Sequence, residues 1–396
     1  MILAFKSTLP NAKIPGNTNT KRVNTMKKIA IVGSGKIGEM ITDLLLACGD
    51  YSVTLVDAAE AQLARIPEAR RLEKRVMDVT RVESLAAMLR SHYAVISAGP
   101  YFLTESIARA AAMAGVHYLD LTEDVRSTQV VRDLARTADA AFIPQCGLAP
   151  GFVSIVANSL CAPFEELDAV RMRVGALPRY PTNSLTYNLT WSTDGVINEY
   201  CEPCEAIIDG EKVLVPALSQ REEFSLDGIH YETFNTSGGL GSLADTLAGR
   251  VRNLSYQTIR YPGHRDIMKT LLQDLRLSER RDVLKDILEY AVPATFQDVV
   301  FIFVTVSGRR DGRLIQDTYA NKIYGHTIDG VERAAIQITT ASAICAMLDL
   351  LATGHLPRRG YVRQEDANLT DFLANRFGMN YAGESGIAVK GHDCAA

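Results

Sequence analysis

A chain of 396 residues with 47% hydrophobic content is long enough for two packed domains and apolar enough to give each a core. Its 42 Lys and Arg against 46 Asp and Glu leave a net charge of −4, which excludes the basic footprint that nucleic acid or an anionic membrane surface requires. The seven cysteines (Cys48, Cys146, Cys161, Cys201, Cys204, Cys345 and Cys394) are odd in number and dispersed, which argues against a disulfide framework and for reduced thiols in a cytoplasmic protein.

Residues 1–25 are polar and carry Pro, Gly and Asn, and the apolar start MILAF is too short for a signal-peptide core. They are expected to be a disordered leader or an upstream-start extension. From Met26 the pattern alternates. KIAIVG predicts a strand, Lys36 to Cys48 a helix, YSVTLVD a second strand, and the Ala-rich stretch from Ala58 a helix. RVMDV predicts a third strand, Val82 to Arg90 a helix, YAVISAGP a fourth strand, and Thr104 to Ala114 a helix. HYLDL and AAFIPQCG complete the series, with a helix from Val125 to about Ala138 between them. Such alternation builds a parallel sheet covered by helices on both faces, so residues 26–149 are expected to form a doubly wound Rossmann domain.

The pattern changes after CGLAPG. Asp168 to Val174, Leu185 to Trp191, IHYETFN, NLSYQTIRY, DVVFIFVTVSG and DTYANKIYG read as strands, and AIIDGEKVLVPAL as a hairpin turning at Asp209-Gly210. Helices are expected near Ser242 to Gly249, His264 to Leu275 and Glu279 to Tyr290. Residues 150–330 thus predict an α+β domain with a mainly antiparallel sheet. Residues 331–396 hold a closing helix, Glu332 to Ala352, and a tail. That helix is long enough to span a membrane, but Gln337, its Ser and Thr residues and Asp349 argue for a buried helix packing back on the first domain.

The segment AIVGSGKIGEM places Gly33, Gly35 and Gly38 in a G-x-G-x-x-G spacing between a strand and a helix. The first glycine permits the turn, the second lets backbone approach a pyrophosphate, and the third lets helix pack on strand. Backbone N–H groups from Ser34, Lys36 and Ile37 would receive the phosphate charge. Asp57 ends the next strand, where a carboxylate accepts from the ribose hydroxyls and repels a 2′-phosphate; Ala58 and Ala59 follow it instead of an Arg, which favours NAD over NADP. Asp78 and Val79 are expected beside the adenine, the competing reading for Asp78 being a helix cap. Ser97, Ala98, Gly99 and Pro100 close the fourth strand and would carry the ribose and nicotinamide.

The segments GSGKIG, VISAGP, YLDLTEDV, CGLAPG, TWSTDGVINEY, FNTSGGLGSL and TIRYPGHRDIM occur in this order. Together, over Lys27 to Gly354, they resemble the saccharopine dehydrogenase-like oxidoreductases, most closely their lysine 6-dehydrogenase branch. The resemblance implies NAD-dependent oxidative deamination of the ε-amino group of L-lysine to allysine, which cyclises to a piperideine carboxylate. Neighbouring members act on secondary amines such as saccharopine or carboxynorspermidine, and the shared motifs do not separate these cases. Arg179 and Arg265 in the pocket would favour a substrate with a second carboxylate. An NAD-binding regulator without turnover is the reading from another class. A homodimer or homotetramer is expected.

Such chemistry needs a free amine, whereas a lysine ammonium has a reference pKa of about 10.4. Asp120, at the end of the fifth strand, is the leading acid for the reacting end, with Glu123 and Asp124 beside it; for the latter two, capping of the next helix competes. Cys146 and Gly147 would shape the nicotinamide pocket, or Cys146 is a small buried thiol. Asn235, Thr236, Ser237 and Gly238 suit an amino-acid head group. Arg260 with Tyr261 would clamp the carboxylate, and His264 would donate or relay a proton. Tyr187 and Trp191 would wall the lysine methylenes, or belong to the core. Cys201 and Cys204 lack the two further ligands a metal site needs, so no metal is expected.

Overall fold

The computed structural model describes residues 26–328 and 330–382 in full and 387–393 as backbone. The leader and Cys394 lie outside the described residues.

The first sheet is built from β1 (Lys27–Val32), β2 (Tyr51–Asp57), β3 (Leu72–Val76), β4 (Ala94–Ser97), β5 (His117–Asp120) and β6 (Ala141–Ile143). Between them run α1 (Lys36–Ala47), α2 (Glu60–Arg65), α3 (Val82–Leu89), α4 (Thr104–Ala114) and α5 (Val125–Ala135). The strands are parallel in the order β3-β2-β1-β4-β5-β6. Direction of growth reverses between β1 and β4, and ligands of such sheets bind at that switch point, outside the carboxyl ends. Register puts Val32 beside Val56 and Ser97, and Ser97 beside Asp120, so the glycine loop and the ends of β4 and β5 share one edge.

One strand departs from expectation. β3 is LEKRV, three residues earlier than RVMDV, which leaves Asp78 beyond its end. It is an edge strand with exposed Arg75 and Val76, so its ladder with β2 defines it and an apolar run is a poor guide.

The second unit runs through α6 (Phe152–Cys161), β7 (Glu166–Pro178), α7 (Thr193–Cys201), β8 (Cys204–Ile208), β9 (Glu211–Val215), β10 (Glu222–Leu226) and β11 (Ile229–Asn235). It continues with α8 (Leu243–Thr246), β12 (Val251–Arg260), α9 (His264–Lys269), α10 (Arg281–Ala291), β13 (Asp298–Arg310) and β14 (Arg313–Tyr324). The sheet order is β10-β11-β12-β7-β13-β14; β12 and β7 pair in parallel and the other neighbours antiparallel. Leu185 to Trp191 is not a strand. It is an irregular connection whose single bridge joins Leu189 to Ala294, because its alternate apolar residues pack against α7, α9 and α10 instead of pairing. The helices α6 and α7 escaped the sequence pattern; α6 is buried on nearly every side, so it carries no amphipathic period.

After a short hairpin of β15 (His326–Ile328) and β16 (Val331–Arg333), α11 (Ala335–Thr353) is long and apolar enough to cross a membrane by length and composition. It is instead buried between the two sheets, sharing one core with Ile29, Ile31, Met40, Ile41 and Leu55 of the first and Val300 and Ile302 of the second. The Asp298 carboxylate accepts from the Ala335 and Ile336 amides at 2.6 and 3.1 Å and so anchors the start of this helix. Beyond it, β17 (Gly360–Tyr361) extends the first sheet beside β6, α12 (Leu369–Ala374) covers α11, and the backbone of β18 (Ile387–Asp393) pairs with β14.

Candidate active site

Gly33 turns the chain out of β1 with φ +104°, and a Cβ there would stand 2.8 Å from the Ala98 carbonyl oxygen. A Cβ on Gly38 would stand 1.9 Å from Gly33 O. Gly35 differs, for a Cβ there would meet no protein atom within 4 Å. It is the N-cap of α1, and no side chain caps the amides of Lys36, Ile37 and Gly38 that follow. Two glycines therefore serve close packing, and the third opens a cradle over an uncapped helix N-terminus. This arrangement fits a pyrophosphate.

Asp57 lies across that cradle. Its Oδ2 accepts from the Ser34 amide at 2.9 Å and the Ser34 hydroxyl at 2.7 Å, and its Oδ1 from the Ala59 amide at 2.9 Å. Burial pushes its pKa up, but these hydrogen bonds win and hold it below the usual range. Asp78 does not face this space. It is exposed and accepts from the Thr80 amide and hydroxyl, a local turn ahead of α3, while Val79 is buried in the core. The Ala98 amide donates to Val32 O, which places Ser97 to Pro100 directly against the glycine loop.

Asp120 is 1% exposed, and its oxygens accept from Tyr118 Oη, Thr122 N and Gln145 N at 2.8 to 3.0 Å. Burial pushes its carboxyl up to about 6 against those bonds. It ties the end of β5 to the loop after β6 and does not present a free oxygen for a substrate. Asp124 caps α5, accepting from Ser127 N at 2.7 Å. Cys146 is wholly buried, its thiol donating to Ile143 O at 3.0 Å and accepting from Gln364, so the thiol does not line a pocket. Gly147 binds Pro150 O and Phe152 N through its backbone, and closes the tight CGLAPG turn.

Two other acids come together, one of them expected from the sequence. The side of Gly238 that lacks a Cβ lies against the Glu123 backbone, where a Cβ would stand 2.5 Å from Glu123 O. One residue earlier, Ser237 N donates to Glu199 O at 3.0 Å. The NTSGG loop thus brings Glu123, which precedes α5, to Glu199 of α7. Burial pushes Glu199 up to about 8, with Glu123 adding to the rise and Arg260 opposing it. Burial likewise raises Glu123 to about 7, its own amide opposing and Asp124 and Asp120 adding.

Arg260, at the end of β12, is buried with its guanidinium 5.2 Å from the Tyr187 ring centroid and 5.9 Å from that of Tyr200. Its Nε donates to Tyr200 Oη at 2.9 Å and Nη1 to Ile259 O at 2.8 Å; Nη2 has no hydrogen-bond partner among the described residues. Tyr261 points through the opposite face of the strand, donating to Pro178 O and stacking on Tyr231, so it cannot share a clamp with Arg260. His264 is 1% exposed and pushed down to about 3 by burial and then by Arg260, so it is neutral. The Leu185 carbonyl, 2.9 Å from Nδ1, can only accept, so Nδ1 carries the proton and Nε2 accepts from Tyr200 Oη at 3.0 Å. His264 therefore braces Arg260 through Tyr200, with both ring nitrogens engaged by protein partners.

In the NTSGG loop, Asn235 donates to Ser219 Oγ and Ser237 to Pro203 O. Thr236 is 2% exposed and its hydroxyl has no partner among the described residues; the same holds for the buried Tyr187 hydroxyl and Asn188 Oδ1. Thr236, Gly238 and Gly239 line a cavity of about 230 Å³ with Gln145 and with Thr128 and Arg132 of α5. Trp191 lies on Gly195, partly buried and packed against the core cluster that holds Tyr187. Arg179 stacks between Tyr180 and Tyr324, and Arg265 binds Leu218 O and Asp266; neither enters this group.

Two family models match nearly the whole described chain: the saccharopine dehydrogenase NADP binding domain over residues 29–143 and the saccharopine dehydrogenase C-terminal domain over residues 147–378. The chain belongs to the saccharopine dehydrogenase family. Membership places it among dehydrogenases that use a nicotinamide dinucleotide, in agreement with the glycine cradle and β4 edge. Curated relatives include the mitochondrial alpha-aminoadipic semialdehyde synthases of Bos taurus and Mus musculus. The first is 21% identical over 320 residues, 77% of this chain and 34% of the relative. The second is 26% identical over 203 residues, 49% of this chain and 22% of the relative. The chain thus spans about a third or less of the length of these relatives. Apo saccharopine dehydrogenase (L-Glu forming) from Saccharomyces cerevisiae has the same fold, with a TM-score of 0.73 at 17% identity, covering 87% of this chain and 96% of that one.

Within this saccharopine dehydrogenase-type fold, Glu199 and Tyr200 are the members of this cluster that sequence reasoning missed. The available signal was an acid on the apolar face of VINEY, but α7 itself went unrecognised.

Proposed function

We propose that the protein oxidatively deaminates the ε-amino group of L-lysine with NAD, releasing allysine. The observation that carries this reading is the set of ionisable groups beside the NTSGG loop. One guanidinium, Arg260, stands with two acids, Glu123 and Glu199, whose raised pKa values let them hold or accept a proton near neutral pH. L-Lysine carries the complement, one carboxylate and two ammonium groups. Arg260 Nη2 suits the carboxylate, and the acidic pair suits a cationic nitrogen. A saccharopine-type substrate brings further carboxylates; Arg179 and Arg265 lie elsewhere, and Arg132, which lines the cavity beside the NTSGG loop, is paired with Asp245.

When bound, the nicotinamide takes the hydride from the amine-bearing carbon. The chain's own part is to cradle the diphosphate at Gly35, to orient the substrate through Arg260, and to remove water and a proton from the amine. NAD is favoured over NADP because Asp57 is held ionised by Ser34 and Ala59, at a position where a 2′-phosphate would meet its charge.

The test is NADH and NADPH formation by purified protein with L-lysine, L-ornithine, saccharopine and related amines. Turnover of L-lysine with NAD supports the proposal. Turnover of saccharopine alone replaces the substrate, and dinucleotide binding without turnover of any amine leaves a regulator.

A further inference from the structure

Buried acids elsewhere in the described residues are satisfied. Asp120 accepts from three donors, Glu232 from Arg221 and the Gly263 and Arg265 amides, and Asp298 from the start of α11. Asp317 pairs with Arg310, Asp349 accepts from Tyr51, Asn375 and Arg376, and Glu365 from Ser242 and Thr246. Glu199 is the exception. Its residue is 7% exposed, yet its carboxylate accepts no hydrogen bond from the described residues. Its oxygens are not sealed from solvent, as the Thr236 hydroxyl and Asn188 Oδ1 are, so the protein leaves them free for a partner from outside, and an acid left in that state needs an explanation. Its position supplies one. Ser237 N fixes its backbone, the missing Cβ of Gly238 lets Glu123 approach from the other domain, and the Arg260 charge acts on its carboxyl.

We propose that Glu199 takes the proton from the ammonium group of the substrate. This rests on the amine-oxidation reading above. One N–H bond of the ammonium breaks, an O–H bond forms on a Glu199 carboxylate oxygen, and the electron pair stays on nitrogen. That lone pair is what departure of hydride from the adjacent carbon requires. The titratable and charged neighbours of Glu199 are Glu123 before α5, Arg260 and Tyr256 on β12, Tyr187 in the preceding loop, Tyr200 on α7 and Cys204 at the start of β8. Glu123 favours proton uptake by Glu199 and Arg260 opposes it.

The test compares wild type with Glu199→Gln and Glu199→Ala on whichever amine of the panel the wild type oxidises. E199Q is expected to lose kcat by about 10²–10⁴-fold at neutral pH, with NAD affinity and melting temperature close to wild type, because Gln keeps the side-chain volume and the carboxylate accepts no protein hydrogen bond that would be lost. Its remaining activity should climb with pH as free amine accumulates. Acetate or formate should restore part of the activity of E199A, an effect a structural role would not produce. E199Q within about threefold of wild-type kcat, with the wild-type pH profile, overturns the proposal. If E199Q folds poorly, rescue of E199A by carboxylate decides. Saccharopine oxidation that E199Q abolishes would sink the lysine reading and leave this inference standing. Lysine oxidation that survives E199Q would do the reverse, and no oxidation of any amine overturns both.

Discussion

The hydroxyl of Tyr200 stands 3.0 Å from Nε2 of His264 and, on its other side, 2.9 Å from Nε of Arg260. A chain of donors therefore runs from Arg260 through Tyr200 and His264 to the Leu185 carbonyl, each proton position set by the next acceptor. It turns a flexible arginine into one whose outer nitrogen has a fixed direction. Tyr200→Phe keeps the ring and removes the link. We expect KM for the amino acid to rise about tenfold, kcat to change little, and stability to fall by about 1–3 kcal/mol. Steady-state kinetics and urea unfolding check this; an unchanged KM would remove Arg260 from substrate binding.

His264 also sets a pH dependence. Its folded pKa of about 3 lies below the unfolded reference of about 6.5. Between these values the unfolded chain binds a proton that the folded one refuses, so stability falls as pH drops through that window. At about 1.4 kcal/mol per unit, going from about pH 7 to about pH 5 removes roughly 2 kcal/mol. His264→Gln lacks this component. It should be less stable than wild type at neutral pH, with the gap narrowing by about 2 kcal/mol at about pH 5 in urea titrations. Asp120, raised to about 6 by burial, gains stability as pH falls, but it is common to both proteins and drops out of the comparison.

The two later glycines of the loop make opposite predictions. Gly35 has φ −68° and open space where a Cβ would stand, so Gly35→Ala should melt like wild type and bind NAD at least about tenfold more weakly. Gly38→Ala would force a methyl to 1.9 Å from Gly33 O and should lose about 1–3 kcal/mol or more of stability. Thermal melts with NAD titration separate the two, and wild-type NAD affinity in G35A would refute the cradle.

Asp57→Asn keeps an oxygen acceptor for Ser34 and removes the charge. The ratio of kcat/KM with NAD to that with NADP should fall at least about tenfold. An unaltered ratio would show that the carboxylate does not select the cofactor.

The dinucleotide cradle was legible because it is local. Gly33, Gly35, Gly38 and Asp57 lie within one strand-helix-strand unit, where spacing alone sets their geometry. The burial of α11 was legible too, from polar residues that lipid would not tolerate. The edge strand β3 and the Leu185–Trp191 segment were misread because their pairing partners, not their own composition, decide what they become.

The site itself divides along the same line. By itself the sequence determined a Rossmann unit, a second α+β unit and the family-wide motifs, since these follow from periodicity and turn chemistry. Only the tertiary structure decided that Asp120, Asp124, Cys146, Tyr261 and His264 are held by protein partners. It alone also brought Glu199, through the NTSGG loop, to Glu123, with no hydrogen-bond donor to its carboxylate among the described residues. Periodicity says which face of an element is buried. Whether an acid on that face is satisfied, and so inert, depends on the donors that distant segments bring to it.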